Sequence, residues 1–169
     1  MVGKTSLINR FLNYEYDYVC DTIEDYLRTN MTINNKEYLI EIIEGNGEED
    51  YQNMIEMWAS FGEGFLLVFA INDKESFQCL NKKRERILKV KNGKFVPMIL
   101  VGNKQDLSDE RKVSYEEAKQ LANSWGIEYI ETSAKTKFNY KEPFEKISIK
   151  IVSTKIKPNK SSCFNCLIC

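Results

Sequence analysis

Histidine is absent from the 169 residues of this chain. Its absence excludes Ser-His-Asp triads, histidine zinc ligands and histidine acid–base chemistry. Any catalysis must come from carboxylates, amines, backbone dipoles or a bound metal. An excess of one charge is also missing: 24 basic residues face 25 acidic ones, for a net charge of -1. No basic field is left to attract nucleic acid, so no nucleic-acid partner is expected. No apolar run approaches the length that spans a bilayer. The start, Met1-Val2-Gly3-Lys4-Thr5, has neither the apolar centre nor the cleavage site of a signal peptide. Folding in the cytosol is therefore expected, and the five cysteines do not suggest a disulfide framework. Cys20 and Cys79 are scattered, while Cys163, Cys166 and Cys169 crowd the end. There is no internal repeat.

What is present is ordinary in bulk. Hydrophobic residues make up 43% and charged residues 29%, as in a globular protein with one core. Ser6 to Asn13 reads as a helix with Leu7, Phe11 and Leu12 on one face and Ile8 widening it. Tyr14 to Asp25 loses the period and reads as a long loop, a length that tends to be functional. Leu27–Ile33 and Glu37–Ile43 alternate as two strands about the turn Asn34-Asn35-Lys36. Glu44-Gly45-Asn46-Gly47-Glu48 favours a flexible turn. Asp50–Phe61 carries Met54, Met57, Trp58 and Phe61 at helical spacing.

Phe65–Ile71 is continuously apolar, the mark of a strand covered on both faces. Lys74–Val90 reads as a charged helix anchored by Phe77, Leu80, Ile87 and Leu88. Pro97–Val101 is a second buried strand. Ser114-Tyr115-Glu116-Glu117 fits a capping box, and Gly126 ends the helix it opens. Ile127–Glu131 is a short strand. A last helix starts near Pro143 with Phe144, Ile147 and Ile151 on one face; the alternation of Ile147, Ile149 and Ile151 also fits a strand. From Ser153 the pattern dissolves. The expectation is one domain over 1–152 and a flexible tail over 153–169. Alternating strands and helices predict an α/β fold with a mostly parallel central sheet and helices on both faces. Ligands of such sheets sit at the carboxyl ends of the strands.

Three clusters fall at such places. Gly3-Lys4-Thr5 matches the end of a phosphate-binding loop, G-x-x-x-x-G-K-[ST], whose first glycine is missing here. In that pattern backbone N–H groups cradle phosphates, the lysine reaches the β- and γ-phosphates, and the hydroxyl binds magnesium. Asn103-Lys104-Gln105-Asp106 has the chemistry of a guanine reader. A carboxylate accepts from the N1–H and the exocyclic amine of guanine, a donor pair that adenine lacks. The asparagine supports the loop and the base edge, and the lysine stem covers the ring. Ser133-Ala134-Lys135 can add backbone N–H groups for the guanine carbonyl. Each cluster alone reads as a solvated turn or a helix start. Their order and placement after buried strands favour the binding reading.

On these residues the chain resembles a small GTPase of the Ras superfamily, Ras-like branch. The matching runs are Gly3-Lys4-Thr5, Thr22-Ile23-Glu24-Asp25, Gly62 to Leu66, Val68 to Asn72, Pro97 to Lys104 and Glu131 to Lys135. The resemblance implies a P-loop NTPase-type three-layer sandwich that binds GTP/GDP and Mg2+. It implies nucleotide contacts from Gly3, Lys4, Thr5, Ser6, Tyr16, Thr22, Gly47, Asn103, Lys104, Asp106, Ser133, Ala134 and Lys135. Magnesium would be held by Thr5, Thr22 and Glu44. Lys4, Gly47 and Glu48 would act in hydrolysis. Thr22, Ile23, Glu24 and Asp25 would meet effectors. Residues 14–25 and 44–61 would be the two switches that the γ-phosphate and magnesium hold ordered. Expected partners are guanine nucleotide, effectors, exchange factors and GTPase-activating proteins.

The chain also departs from the family pattern. The family places a strand and a glycine-rich turn ahead of Gly3, with that strand mid-sheet. Its absence predicts exposed strand edges and reads as a truncated start; the alternative is a degenerate, nucleotide-independent pseudo-GTPase module. Glu48 stands where the family's glutamine orients the attacking water, so, with the shortened phosphate loop, hydrolysis is expected to be slow at best. The first switch is about one residue short.

At the end, Cys166-Leu167-Ile168-Cys169 fits C-a-a-X, which implies prenylation of Cys166, with Cys163 as a candidate for a palmitoyl chain. Lysines at 146, 150, 155, 157 and 160, with no acid from Lys146 onward, would add attraction to an anionic leaflet. The expected location is the cytoplasmic face of a membrane, the plasma membrane, by a prenyl anchor.

Overall fold

In a computed structural model, the structure describes residues 1–13, 26–45, 52–155 and 163–168. The elements are α1 (Lys4–Phe11), β1 (Tyr26–Ile33), β2 (Lys36–Glu44), α2 (Gln52–Phe61), β3 (Gly64–Ala70), α3 (Lys74–Gln78), α4 (Leu80–Val90), β4 (Met98–Asn103), α5 (Tyr115–Trp125), β5 (Glu128–Glu131), α6 (Glu142–Thr154) and β6 (Cys163–Ile168). A 3-10 turn, Gln105–Glu110, follows β4.

The strands form one sheet in the order β1-β2-β6-β3-β4-β5. Among the paired strands of the described residues, the β1–β2 hairpin is antiparallel and the other pairs are parallel. Its turn puts Asn34 and Asn35 at positive φ, a conformation that asparagine tolerates better than most residues. β3 and β4 are buried at every position, which is why their sequences show no alternation.

Two apolar cores lie on opposite faces of the sheet. On one, Leu7 and Ile8 of α1 and Phe144, Ile147 and Ile151 of α6 pack with Ile40, Leu66 and Val101. Phe11 stacks on Phe144 with ring centroids 4.1 Å apart. On the other, Trp58, Phe77, Leu80, Ile87, Ala118 and Ala122 from α2 to α5 cover Phe65, Leu67 and Leu100. The result is the three-layer α/β arrangement that the sequence predicts.

Three expectations change, and the helix expected near Pro143 is borne out. The helix over Lys74–Val90 divides at Cys79 into α3 and α4; Asp73 Oδ1 caps α3 by accepting from Glu75 N–H and Ser76 N–H. The isoleucine alternation near 147–151 belongs to a helix, with Ile147 and Ile151 buried and Ile149 exposed.

Another change concerns the tail. Cys163–Ile168 is not a flexible extension but a strand lying between β2 and β3. Leu39 to Glu44 of β2 pair with Cys163 to Ile168, and Gly64 to Leu66 of β3 pair with Cys166 to Ile168. Phe164, Cys166 and Ile168 join the core beneath α1 and α6. The two strand edges expected to lie open are therefore paired, because this hexapeptide supplies backbone partners on both sides and an apolar side chain at every second position.

Lastly, three of the lysines counted toward a membrane surface have partners in the fold. Lys146 and Lys150 reach Glu128, Lys146 also reaches Glu142, and Lys155 reaches Glu63.

Candidate functional site

The site is assembled at the carboxyl ends of β4 and β5, against the first turn of α1. Gly3 precedes that helix at φ 82°, in the left-handed region. A Cβ there would lie 2.7 Å from Asn103 Nδ2, so both the backbone turn and the close approach to β4 require glycine. The N–H groups of a helix's first turn have no intrahelical acceptor. Here they border a cleft of about 400 Å³ lined by Gly3, Ser6, Asn103, Lys104, Asp106 and Lys135, among others.

Asn103 is the junction. Its side chain is buried, with Nδ2 donating to the Val2 carbonyl at 3.0 Å and the Gly3 carbonyl at 3.3 Å. Its Oδ1 accepts from Thr132 Oγ1 at 3.2 Å. One amide thus fastens the end of β4 to the helix start and to the loop after β5. Lys104 has φ 65°, and its Nζ donates to the Met1 carbonyl at 2.8 Å, so its stem runs toward the chain start across the cleft.

Asp106 accepts a short hydrogen bond from Ser133 Oγ, and that oxygen accepts from Thr136 N–H at 3.1 Å. Ser133 N–H donates to the Phe138 carbonyl at 2.9 Å. Arg10, from the last turn of α1, donates from Nε to the Ala134 carbonyl at 3.0 Å. Gln105 N–H donates to the Thr132 carbonyl at 3.0 Å. These bonds bring Asp106, Ala134 and Lys135 to the cleft that Gly3 and Ser6 also line.

Two of the three residues expected to hold magnesium lie side by side. Thr5 Oγ1 donates to Glu44 Oε1 at 2.8 Å, so α1 and the end of β2 bring a hydroxyl and a carboxylate together. Oxygen donors of this kind suit a hard divalent cation. Among the described residues, no group of three or more carboxylates or cysteines converges as a cage, so this pair could hold only part of a cation's shell. Tyr16, Thr22, Ile23, Glu24, Asp25, Gly47 and Glu48 lie outside the described residues. Cys166 is buried in β6.

One group escaped the reading of the sequence. Arg111 and Glu131 form a two-pronged pair, Nη1 to Oε1 at 2.7 Å and Nη2 to Oε2 at 2.9 Å. Tyr129 Oη donates to Glu131 Oε1 at 2.7 Å, and Arg111 Nη1 also donates to the Val113 carbonyl at 3.1 Å. The bond to Glu131 holds Arg111 above its ordinary pKa. Burial, and then the Glu131 carboxylate, pushes the Tyr129 hydroxyl far above its ordinary value of 10.0. This network stands at the end of β5, directly before Thr132 and Ser133. The only sequence signal was Glu131 itself; nothing marked Arg111.

Compared with protein-family models, the chain matches the Ras family over residues 1–153. It is 40% identical over 163 residues to the Ras-related protein Ral-a of Drosophila melanogaster, covering 95% of this chain and 81% of that one. It is 45% identical over 144 residues to the protein ras-1 of Neurospora crassa, covering 85% and 68%. It is 40% identical over 162 residues to the Ras-related protein O-RAL of Diplobatis ommata, covering 94% and 78%.

Proposed function

The chain belongs to the Ras family, and from that membership we propose that it is a guanine-nucleotide-dependent switch that hydrolyses GTP slowly. The observation that carries the reading is that Asn103, bonded to the Gly3 carbonyl, and Asp106, bonded to Ser133, line one cleft together with Gly3 and Ser6 of the helix start. A base at Asp106 would leave its phosphates at the first turn of α1, where backbone N–H groups and the helix dipole favour anions. Asp106 would accept from the two guanine donors, and Ser133 would fix the direction of its carboxylate. Lys4 would add charge at the phosphates. Thr5 and Glu44 would hold magnesium, which supplies positive charge to offset that of the phosphates.

Slow hydrolysis follows from Glu48. A carboxylate lacks the amide donor that orients the attacking water, and it adds negative charge beside a triphosphate. Changing Glu48→Gln is expected to raise the single-turnover rate; an unchanged or lower rate would remove Glu48 from this account. Thr22 to Asp25 would present the effector surface when nucleotide orders the first switch. Exchange factors and GTPase-activating proteins would read the same two loops. A lipid on Cys166, with Cys163 as a second candidate, would place the chain at the cytoplasmic face of a membrane, the plasma membrane being the expected one.

The test is binding of fluorescent GDP and GTP by the purified chain with magnesium, with ATP as competitor. Guanine-selective binding is expected. Equal displacement by ATP and GTP would refute the reading. A folded chain that binds neither would be the nucleotide-independent module instead.

A further inference from the structure

We propose that Cys163–Ile168 is a displaceable plug: its seat in the sheet and covalent modification of the Cys166 sulfur exclude one another. For what modification this governs, the inference rests on the lipid anchor proposed above; the exclusion itself follows from the geometry.

Cys166 is 1% exposed and lies in a core with Phe164, Ile168, Leu7 and Ile8. Protein interiors pack as densely as organic crystals, so a chain of many carbons on that sulfur has no room there. A modified Cys166 therefore belongs to a state in which the strand has left the sheet.

Several features mark β6 as the separable strand. It meets β3 over only Gly64 to Leu66, whereas β3 meets β4 from Phe65 to Ala70. On its other face Asn165, opposite Glu41 of β2, has a buried Oδ1 without a hydrogen-bond partner. Glu63 holds the strand at Asn165, near its middle. It accepts from Asn165 N–H at 3.2 Å and pairs with Lys155 at 2.8 Å, both at partly exposed positions. The apolar anchors are Phe164, tilted against Tyr38 at 6.0 Å, and Ile168.

The plug also touches the site. Ile168 lies opposite Glu44, and its carbonyl accepts from Gly45 N–H at 2.8 Å. Glu44 is the residue that receives the Thr5 hydroxyl. Seating β6 fixes the end of β2 and with it the Thr5–Glu44 geometry. Coupling of this kind is reciprocal: a ligand that stabilises Thr5 and Glu44 in place also favours the seated strand, and withdrawal of the strand weakens that ligand.

The experiment measures thiol accessibility. In a chain whose other cysteines are changed to serine (C20S, C79S, C163S and C169S), Cys166 is labelled with a small aromatic disulfide. Labelling is expected to be at least ~100-fold slower than in denaturant, as for a group reached only by local opening. Phe164→Ala should speed it by about 10-fold or more while thermal melting stays cooperative. Labelling at the unfolded rate in a cooperatively melting chain would overturn the proposal. Amide exchange of the unaltered chain guards against loss of fold in the variants. Protected amides across residues 163–168 are expected, and exchange at free-peptide rates would overturn the plug. GDP binding on the same samples separates the two ideas. A protected Cys166 without guanine binding refutes the switch alone, and a reactive Cys166 with guanine binding refutes the plug alone.

Discussion

Truncating Glu131 should cost more than a surface ion pair and less than a buried one. The side chains of Arg111 and Glu131 are 24% and 12% exposed, and the pair is two-pronged. Exposed pairs contribute about 0.2–1 kcal/mol, and breaking a fully buried pair costs about 3–5 kcal/mol. Partial exposure places Glu131→Ala between these, at about 2 kcal/mol. For a domain of this size that lowers the melting temperature by about 4–8 °C. The pairwise share is isolated by a cycle of Arg111→Met, Glu131→Gln and the double variant in urea unfolding, where a coupling of about 1–2 kcal/mol is expected. Tyr129→Phe, measured separately, removes the third partner. Because the network holds the end of β5 immediately before Thr132 and Ser133, Glu131→Gln should also speed release of guanine nucleotide. A coupling energy near zero would refute the energetic reasoning. A normal coupling with unchanged nucleotide release would show that the pair holds the fold without holding the site.

Asp106→Ala should erase base selectivity: a preference for GTP over ATP on the order of 10⁴ would fall to near one, read by competition binding. Retained preference would assign the reading of the base to other groups. Gly64→Ala should destabilise by about 1–3 kcal/mol, since the new methyl would sit 2.6 Å from Ile151 Cδ1 and 2.9 Å from Ile147 Cγ1; unchanged urea unfolding would show that α6 yields. Hydrogen bonds from Lys150 and then Lys146 hold Glu128 below its ordinary pKa of 4.5. A carboxyl depressed in the folded state stabilises fully above its unfolded pKa and loses that contribution as pH falls through the folded one. Melting curves of the parent and Glu128→Gln should therefore differ near neutral pH, by at most about 1 kcal/mol because the pairs are partly exposed. They should converge in acid below the depressed pKa, and a difference that persists there would contradict the assignment.

The parts legible in the sequence were those governed by local pattern. Phe65–Ile71 announced a strand covered on both faces because it is apolar throughout, and Ser114 with Gly126 bracketed α5 through their caps. The base-reading loops were legible because their chemistry is compressed into short runs, Asn103 to Asp106 and Ser133 to Lys135. What stayed hidden depends on distant pairing. Arg111 finds Glu131 across the loop and helix between them, and neither periodicity nor a motif joins the two. α1 begins at Lys4 rather than Ser6 because Gly3 turns the chain early, a matter of backbone rather than of apolar spacing. β6 was missed for a related reason. Cys163-Phe164-Asn165-Cys166-Leu167-Ile168 is short and follows a lysine-rich stretch, and its cysteines invite another chemistry. Its strand character comes from the two edges that receive it.

The position of β6 also sets an order of events during synthesis. Its partners lie far back along the chain, Leu39 opposite Cys163 and Gly64 opposite Cys166. Long-range parallel pairings of this kind raise contact order and slow folding. A nascent chain that has already emerged through α6 holds two half-sheets, β1–β2 and β3–β4–β5, which among the described residues are joined through β6. During that interval both waiting edges can capture another chain in place of their own. Residence on the ribosome, and any chaperone that shields β2 and β3 there, thus bears on the yield of folded protein as directly as the stability of the finished sheet.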